Sequence, residues 1–368
     1  MTSIPDHIIS HILPQLPVKS LVRFKCVSKN WSSFIAHPDF IKAHLDRTKT
    51  QSLIISSLEH QNLHTSIIRF FSIRVINEVS DTEISASFPV PFDSYHVLPS
   101  CNGLVCFYGS QGGIHVCNPA SRKMVTLSDR SDYADAQSWT CGLGFDKITG
   151  KYKVVKFLKP CGVDDDVSDS LRLEVFTMDE DNSWRTVRFQ PPFRFPHRQP
   201  PVFAGGFFYW ISDPVVDSSG FSIISFDVGH EIFGVIKPPE SLWRKNWYLF
   251  SLVELGGKLC LVDLDFDVAE KKRMDIWIFK GNVDCDGTHD LWLRETIIHP
   301  SESIDCTLPV AVVGGEILLH GYVKGLGELN IYDPKLGRFR ELEIGKVSWQ
   351  YFHASSYVGS MVPVSNNH

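Results

Sequence analysis

Two hydrophobic rhythms meet near residue 50. Before it, apolar side chains recur every three or four positions: Ile8, Ile9, Ile12 and Leu13, then Leu21, Phe24 and Val27, then Trp31, Phe34 and Ile35, and last Phe40, Ile41 and Leu45. That period puts each group on one face of an α-helix. Punctuation agrees with it. Pro5 suits a first helical position, Pro14 ends the first segment, Ser20 and Ser28 are candidate N-caps, and His37-Pro38-Asp39 separates the last two groups. Three to four short helices are predicted over residues 1–48. So small a bundle cannot enclose this many large side chains by itself, and part of its apolar surface must meet something else.

From Gln51 onward the pattern changes to short runs of Val, Ile, Phe, Leu and Tyr between Gly, Pro, Asn and Asp, which predicts many strands joined by tight turns. A period accompanies the change. Gly103, Gly150, Gly206, Gly257 and Gly315 recur about every 50 residues, three of them as Gly-Gly pairs. Trp139, Trp184, Trp243, Trp292 and Trp349 follow those glycines by 34 to 37 residues. A Gly pair permits close backbone approach at the start of an inner strand, and a Trp in an outer strand can pack between sheets. The Gly150 unit also fits a plain hairpin inside a blade. The expected fold is an all-β, kelch-like β-propeller of about six blades. Residues 49–100 read as a connecting segment and irregular first blade, 101–363 as the remaining blades, and 364–368 as a disordered tail. Tyr357 to Val362 is expected to supply the strand that closes the ring.

Composition sharpens this picture in three places. Hydrophobic residues make up 43% and charged residues 21%, with 25 Phe and nine Trp, which suits aromatic-rich β structure. The net charge of −6 is unevenly spread, because residues 1–50 hold seven Lys or Arg against three Asp, leaving the rest strongly acidic. A basic helical module favours an acidic protein partner or nucleic acid, or simply presents a solvated face. Nine cysteines without a repeated spacing imply a reducing compartment. No apolar run reaches the roughly 18 residues of a membrane span, and His7, His11 and Pro14 interrupt any signal-peptide core. The expected location is cytoplasm, nucleus or both.

The order Ile4-Pro5, Ile12-Leu13, Leu16-Pro17-Val18-Lys19-Ser20-Leu21, Arg23-Phe24-Lys25-Cys26-Val27-Ser28-Lys29, Trp31 and Pro38-Asp39-Phe40 closely resembles the F-box of plant F-box proteins. The resemblance implies docking on a SKP-family adaptor and, through it, on cullin and RING subunits that deliver ubiquitin. Carried over by position, it implies adaptor contacts at Ile4, Pro5, Ile8, Ile12, Leu13, Leu16, Pro17, Leu21, Val27 and Trp31, with Phe24 serving the module's own core. The chain departs from the family where acids usually stand, at His7 and His11, and carries Gln15 where Arg is common. Beyond the helices, Ser100-Cys101-Asn102-Gly103-Leu104-Val105, Asn118-Pro119-Ala120-Ser121-Arg122-Lys123, and Gly144-Phe145-Asp146 with Tyr152-Lys153-Val154-Val155 resemble the F-box-associated domain, often labelled kelch-type.

Catalytic and metal motifs fail on inspection. Asp263, Asp265 and Asp267 begin like a calcium loop, but Val268 stands where glycine is needed and Met274 where the closing Glu belongs. Gly142 and Gly144 begin a dinucleotide motif that Lys147 breaks. Cys285 and His289 are spaced as two metal ligands without a second pair. No cofactor and no metal are expected. Charged loops are the better candidates for target contact, namely Asp164 and Asp165 in one and Arg194 and Arg198 in another. The expected function is the substrate receptor of an SCF-type ubiquitin ligase, non-catalytic, with an unidentified target protein and neither nucleic acid nor membrane as partner. The alternatives are a scaffold acting outside any ligase and a propeller enzyme.

Overall fold

The computed structural model describes residues 6–48, 52–76, 79–91, 93–109, 113–127, 136–160, 172–181, 183–187, 200–212, 221–243, 245, 249–265, 273–281, 291–300, 306–323, 326–342 and 352–364. Helices come first. α1 (Asp6–Ile12) runs into a 3-10 turn (Leu13–Gln15), followed by α2 (Val18–Phe24), α3 (Lys29–Ala36) and α4 (Pro38–Arg47). The Ser28 hydroxyl accepts from the Trp31 amide at 3.1 Å, and His37 Nδ1 accepts from the Asp39 amide at 3.3 Å, so α3 and α4 begin where the punctuation put them. Ser20 is no cap. α2 starts earlier, behind Pro17, whose φ of −58° already suits a helix entry.

The described strands form six four-stranded antiparallel sheets, the blades of an all-β propeller. Blade 1 holds β1 (Ser52–His60), β2 (Thr65–Ile76), β3 (Val79–Pro91) and, from the other end of the chain, β24 (Phe352–Tyr357). Blade 2 is β4 (Tyr95–Val97), β5 (Val105–Gly109), β6 (Ile114–Asn118) and β7 (Lys123–Leu127), and blade 3 is β8 (Ala136–Asp146), β9 (Lys151–Pro160), β10 (Arg172–Thr177) and β11 (Arg185–Val187). Blade 4 is β12 (Val202–Ala204), β13 (Phe207–Ser212), β14 (Ser222–Asp227) and β15 (Phe233–Ile236). Blade 5 is β16 (Phe250–Leu255), β17 (Lys258–Asp265), β18 (Arg273–Phe279) and β19 (Trp292–Ile298), and blade 6 is β20 (Cys306–Val313), β21 (Glu316–Val323), β22 (Leu326–Asp333) and β23 (Arg338–Glu341).

Two compact units are distinguished, one of residues 1–128 with 342–368 and one of 129–341. In the first, β24 pairs with β1 from Ser52↔Tyr357 to Ser57↔Phe352. The closing strand therefore ends at Tyr357, and Val358 to Val362 have already left the sheet. Blades 1 and 2 share a core in which Ile54, Phe70 and Phe88 meet Val105, Phe107, Cys117 and Tyr357. In the second unit the first strands of successive blades lie against one another, β8 on β12, β12 on β16 and β16 on β20. Large side chains fill each seam, as where Phe157 of blade 3 meets Trp210 of blade 4 edge-on at 4.4 Å.

The glycine period has one structural meaning. Each of the five lies between the first and second strands of its blade, and in the pairs at 205/206, 256/257 and 314/315 both residues have positive φ. Such turns match the twist of a tight hairpin and exclude most side chains. Conformation is the reason at these pairs, since an added Cβ would meet nothing within 4 Å. Gly150 occupies the same place, so the hairpin that set it apart is the rule in every such unit. The turns after third strands repeat as well. The side-chain oxygens of Asn118, Asp227 and Asp333 each accept from the two amides two and three residues on.

The tryptophan period is a coincidence of spacing. Trp139 lies on the first strand β8, Trp184 just before the fourth strand β11, Trp243 on a turn after a 3-10 segment (Glu240–Leu242), and Trp292 at the start of the fourth strand β19, while Trp349 lies outside the described residues. Of the four that are described, Trp184 and Trp292 stand near an outer strand.

A buried ion cluster joins blades 3 and 4. Lys153 Nζ lies 3.0 Å from Asp146 Oδ2 and 3.0 Å from Glu231 Oε1, and also donates to the Val228 carbonyl at 2.8 Å, while Arg185 caps Glu231 from outside. Burial pushes the Asp146 carboxyl up, but the Thr149 hydroxyl, Lys153 and the amides of Ile148 and Thr149 outweigh it and hold it below its ordinary value. Glu231 is likewise raised by burial and lowered further by Arg185 and Lys153. Carboxyls with depressed values stabilise the fold above the unfolded value of about 4, and that stabilisation is lost as pH falls through the depressed values. Thermal unfolding followed from pH 7 to pH 2 should thus show a steep acid-side fall in wild type. Lys153→Met should lower stability by about 3–5 kcal/mol at neutral pH, because the buried Asp146 carboxylate loses its cation while Glu231 keeps Arg185, and should flatten the acid limb; an unchanged limb would exclude the cluster as its source.

Candidate docking surface of the helical module

The helices bury some of their apolar residues together and leave others exposed. Leu13, Val18, Leu21, Ile35 and Phe40 are buried together, and Ile9, Leu16, Val22, Phe24, Trp31 and Ile41 pack around them. Met361 enters this core from the C-terminal segment, and Ala120 of the turn after β6 lines it. The bundle is thus closed by residues that are distant in sequence. Phe24 meets Trp31 edge-on with centroids 5.5 Å apart, and the buried His44 holds the Leu16 carbonyl through Nε2 at 3.0 Å, tying α4 to the loop before α2.

Other side chains that helical spacing would bury in a larger protein reach solvent. Ile12 is 50% exposed, Val27 60% and Phe34 37%, and Pro17 is exposed beside them in sequence. Large aliphatic residues this open on a small helical unit are the mark of an interaction surface. Lys25, Arg23 and Lys29 stand on the same helices or the turn between them, and burial lowers the Lys25 ammonium from its ordinary value. The exposed apolar residues have basic neighbours, and the exposed thiol of Cys26 stands next to Val27 in sequence; among the described residues no three His, Cys, Asp or Glu gather as metal ligands.

The ten expected contact residues divide accordingly. Ile12, Pro17 and Val27 are exposed, Leu16 and Trp31 are half-buried, and Leu13 and Leu21 are buried in the module's core. Ile8 lies in α1, its side chain outside the described residues, as are Ile4 and Pro5 entirely. Phe34, absent from that set, joins the exposed residues; its place on the same helical stripe as Trp31 and Ile35 was the available signal.

Asp164, Asp165, Arg194 and Arg198 lie outside the described residues, as do the 364–368 tail beyond Val364, Cys285, His289 and Asp267. Their flanking strands are visible: β9 and β11 both pair antiparallel with β10, so the two charged connections leave the same end of blade 3. Asp263 is buried against Lys245 at 2.8 Å, which places it in an ion pair. Gly142 and Gly144 lie in β8 where a Cβ would strike Pro201, Phe203 or Phe208 of the neighbouring blade at 2.5 to 2.8 Å, so they serve close packing of two sheets. No described helix is long and apolar enough to cross a membrane.

Residues 1–43 match the family model of the F-box domain, and residues 43–365 match that described as the F-box associated beta propeller domain. An F-box protein of Arabidopsis thaliana is 28% identical over 100% of this chain and 92% of its own length, and another from the same plant is 33% identical over 75% and 69%. A third, an F-box/kelch-repeat protein of Arabidopsis thaliana, is 27% identical over 77% of this chain and 69% of its own. Among solved structures, a chain in the crystal structure of a nidogen/laminin complex has a TM-score of 0.43 at 10% identity over 84% of this chain and 99% of that one, too slight a likeness to carry an argument.

Substitutions should separate the buried residues from the exposed ones. Leu21→Ala, at a fully buried site, should cost about 2–5 kcal/mol in chemical denaturation, whereas Val27→Ala should stay within about 0.5 kcal/mol of wild type.

Proposed function

Because the chain belongs to the F-box proteins that carry an F-box-associated β-propeller domain, we propose that it is the substrate-recognition subunit of an SCF-type ubiquitin ligase. The observation that carries the proposal is the exposure of Ile12, Val27 and Phe34 on a helical module whose core is already filled. In this reading these residues, with Pro17 and the half-buried Leu16 and Trp31, dock on a SKP-family adaptor, and cullin and RING subunits follow through it. Ile4, Pro5 and Ile8 extend the contact toward the N-terminus.

The propeller holds the target protein. β1 follows the helices in sequence and is nine residues long, so its two ends stand about 30 Å apart. The hairpin that follows it presents Leu63, 83% exposed. Target contact is assigned to the connections that carry Asp164, Asp165, Arg194 and Arg198. The chain contributes no covalent step. It acts by raising the effective concentration of a target lysine near the charged conjugating enzyme, in the cytoplasm or nucleus.

A scaffold outside any ligase is the second reading, favoured by the packing of the helices on Met361 and Ala120. One experiment separates the two. Full-length chain mixed with purified SKP-family adaptor and cullin should form a complex, and Ile12→Asp combined with Val27→Asp should weaken it at least about 30-fold, as loss of a hot spot worth ~2 kcal/mol would, with unchanged thermal unfolding. Absence of wild-type binding, or full binding by the double variant, would sink the receptor reading.

A further inference from the structure

We propose that the C-terminal segment Val358 to Val364 is a strap that locks the helical module onto blades 1 and 2, with Asn118 as its buckle, so that the direction in which a bound target is presented is fixed inside this chain. The consequence for target presentation rests on the receptor reading above; the strap itself rests on geometry.

Four contacts define it. The segment leaves β24 at Tyr357, whose hydroxyl lies against the backbone of Ala120. Gly103 then passes so close that a Cβ there would stand 2.4 Å from Ser360 Oγ and 2.6 Å from the Val358 carbonyl oxygen. Asn118, fully buried, donates through Nδ2 to the Ser360 carbonyl at 3.1 Å and the Val362 carbonyl at 2.8 Å. Between those two carbonyls, Met361 enters the helical core with Val18, Leu21 and Phe40, and a Cβ added at Gly359 would stand 3.5 Å from Val18 Cγ2. Backbone is held by Asn118 and a side chain by the helices.

The residue at position 118 marks the segment as a specific ligand of blade 2. Its Oδ1 accepts from the Ala120 and Ser121 amides, as the carboxylates of Asp227 and Asp333 do at the same turn in blades 4 and 6. A carboxylate therefore suffices for the turn. What an amide adds is two N–H donors, and both are spent on the strap. Asn118 uses four of its hydrogen-bonding positions, two toward its own turn and two toward residues more than 240 positions away.

Asn118→Asp tests this directly. It keeps the turn acceptor and the shape, removes both donors and sets a carboxylate against two carbonyl oxygens. Met361→Ala is the second variant, releasing the strap from the helical side. Nitroxide labels on the exposed Cys26 and on Leu63→Cys, in full-length chain with Cys161, Cys285 and Cys306 replaced by Ser, report the distance between the helical module and the first hairpin of blade 1 by pulsed electron resonance. Intact strap should give one narrow distance distribution, and both variants should lose it for a broad one while adaptor binding persists. A broad distribution with the strap intact, or a narrow one in both variants, overturns the proposal. Narrow distances in a chain that binds no adaptor would leave the strap standing and sink the receptor reading alone.

Discussion

Pairing of the last strand with the first is the constraint on which the first unit depends. Six residues of β24 align with six of β1 across some 300 positions of chain, and the Ser52 hydroxyl adds a bond to the Tyr357 carbonyl at 3.1 Å. Without it blade 1 would expose the edge of β1, an open template for foreign strands. The pairing also decides where the chain goes next. Ending β24 opposite the start of β1 delivers the following residues to the place where the helices begin their descent into the blade. Met361 can therefore fill a core made by residues 9–41. Contacts of such sequence separation bear a large loop-closure cost and are the slow part of folding, so the helical module is completed only when the far end of the chain has arrived.

Much of this architecture was legible, for reasons that differ from element to element. Helix entries at Ser28 and His37-Pro38 are local chemistry, so sequence suffices for them. The Gly-Gly turns were legible because left-handed backbone admits few residue types. Ser20 misled because Pro17 offers an equally good start three residues earlier, and capping preference alone does not rank the two. The Trp period misled in another way: an aromatic ring can fill a seam from any strand of a blade, so equal spacing does not mean equal position. Trp292 shows it, buried with its Nε1 donating to the Lys237 carbonyl, whereas Trp243 caps a turn through the Pro238 carbonyl.

Charge pairing across blades was beyond sequence reasoning altogether. Lys153 and Glu231 are 78 positions apart, and nothing in the pattern of Tyr152-Lys153-Val154-Val155 says that the lysine points into protein. Once blades 3 and 4 are assembled, its ammonium has two carboxylates and a carbonyl within 3.0 Å. Lys156 is still more deeply placed, fully buried with Glu174 at 2.6 Å and the Trp184 ring 4.4 Å from its nitrogen. Lys153 adds specificity to the joining of blades 3 and 4, and Lys156, paired with its cross-strand neighbour Glu174, to the register inside blade 3, since a shifted register would leave each charge buried and alone.

The docking surface raises the question that periodicity cannot answer. An amphipathic stripe says that Leu13, Leu21, Ile12 and Val27 all seek apolar surroundings, but it does not say whose. That depends on how many apolar residues the rest of the chain contributes, and here the answer came from Met361 and Ala120, which no local reading would attach to the helices. Their arrival divides one stripe into buried and exposed residues. Residues that meet Met361 and Ala120 are buried in one core, while Ile12 and Val27 stay exposed. A module closed by its own chain can present its exposed residues in a fixed orientation before any partner binds, which lowers the ordering cost of association. The same closure ties the helices to blade 1, because the turn whose Asn118 holds the C-terminal segment belongs to blade 2 and blade 2 shares its core with blade 1, whose hairpin carries the exposed Leu63.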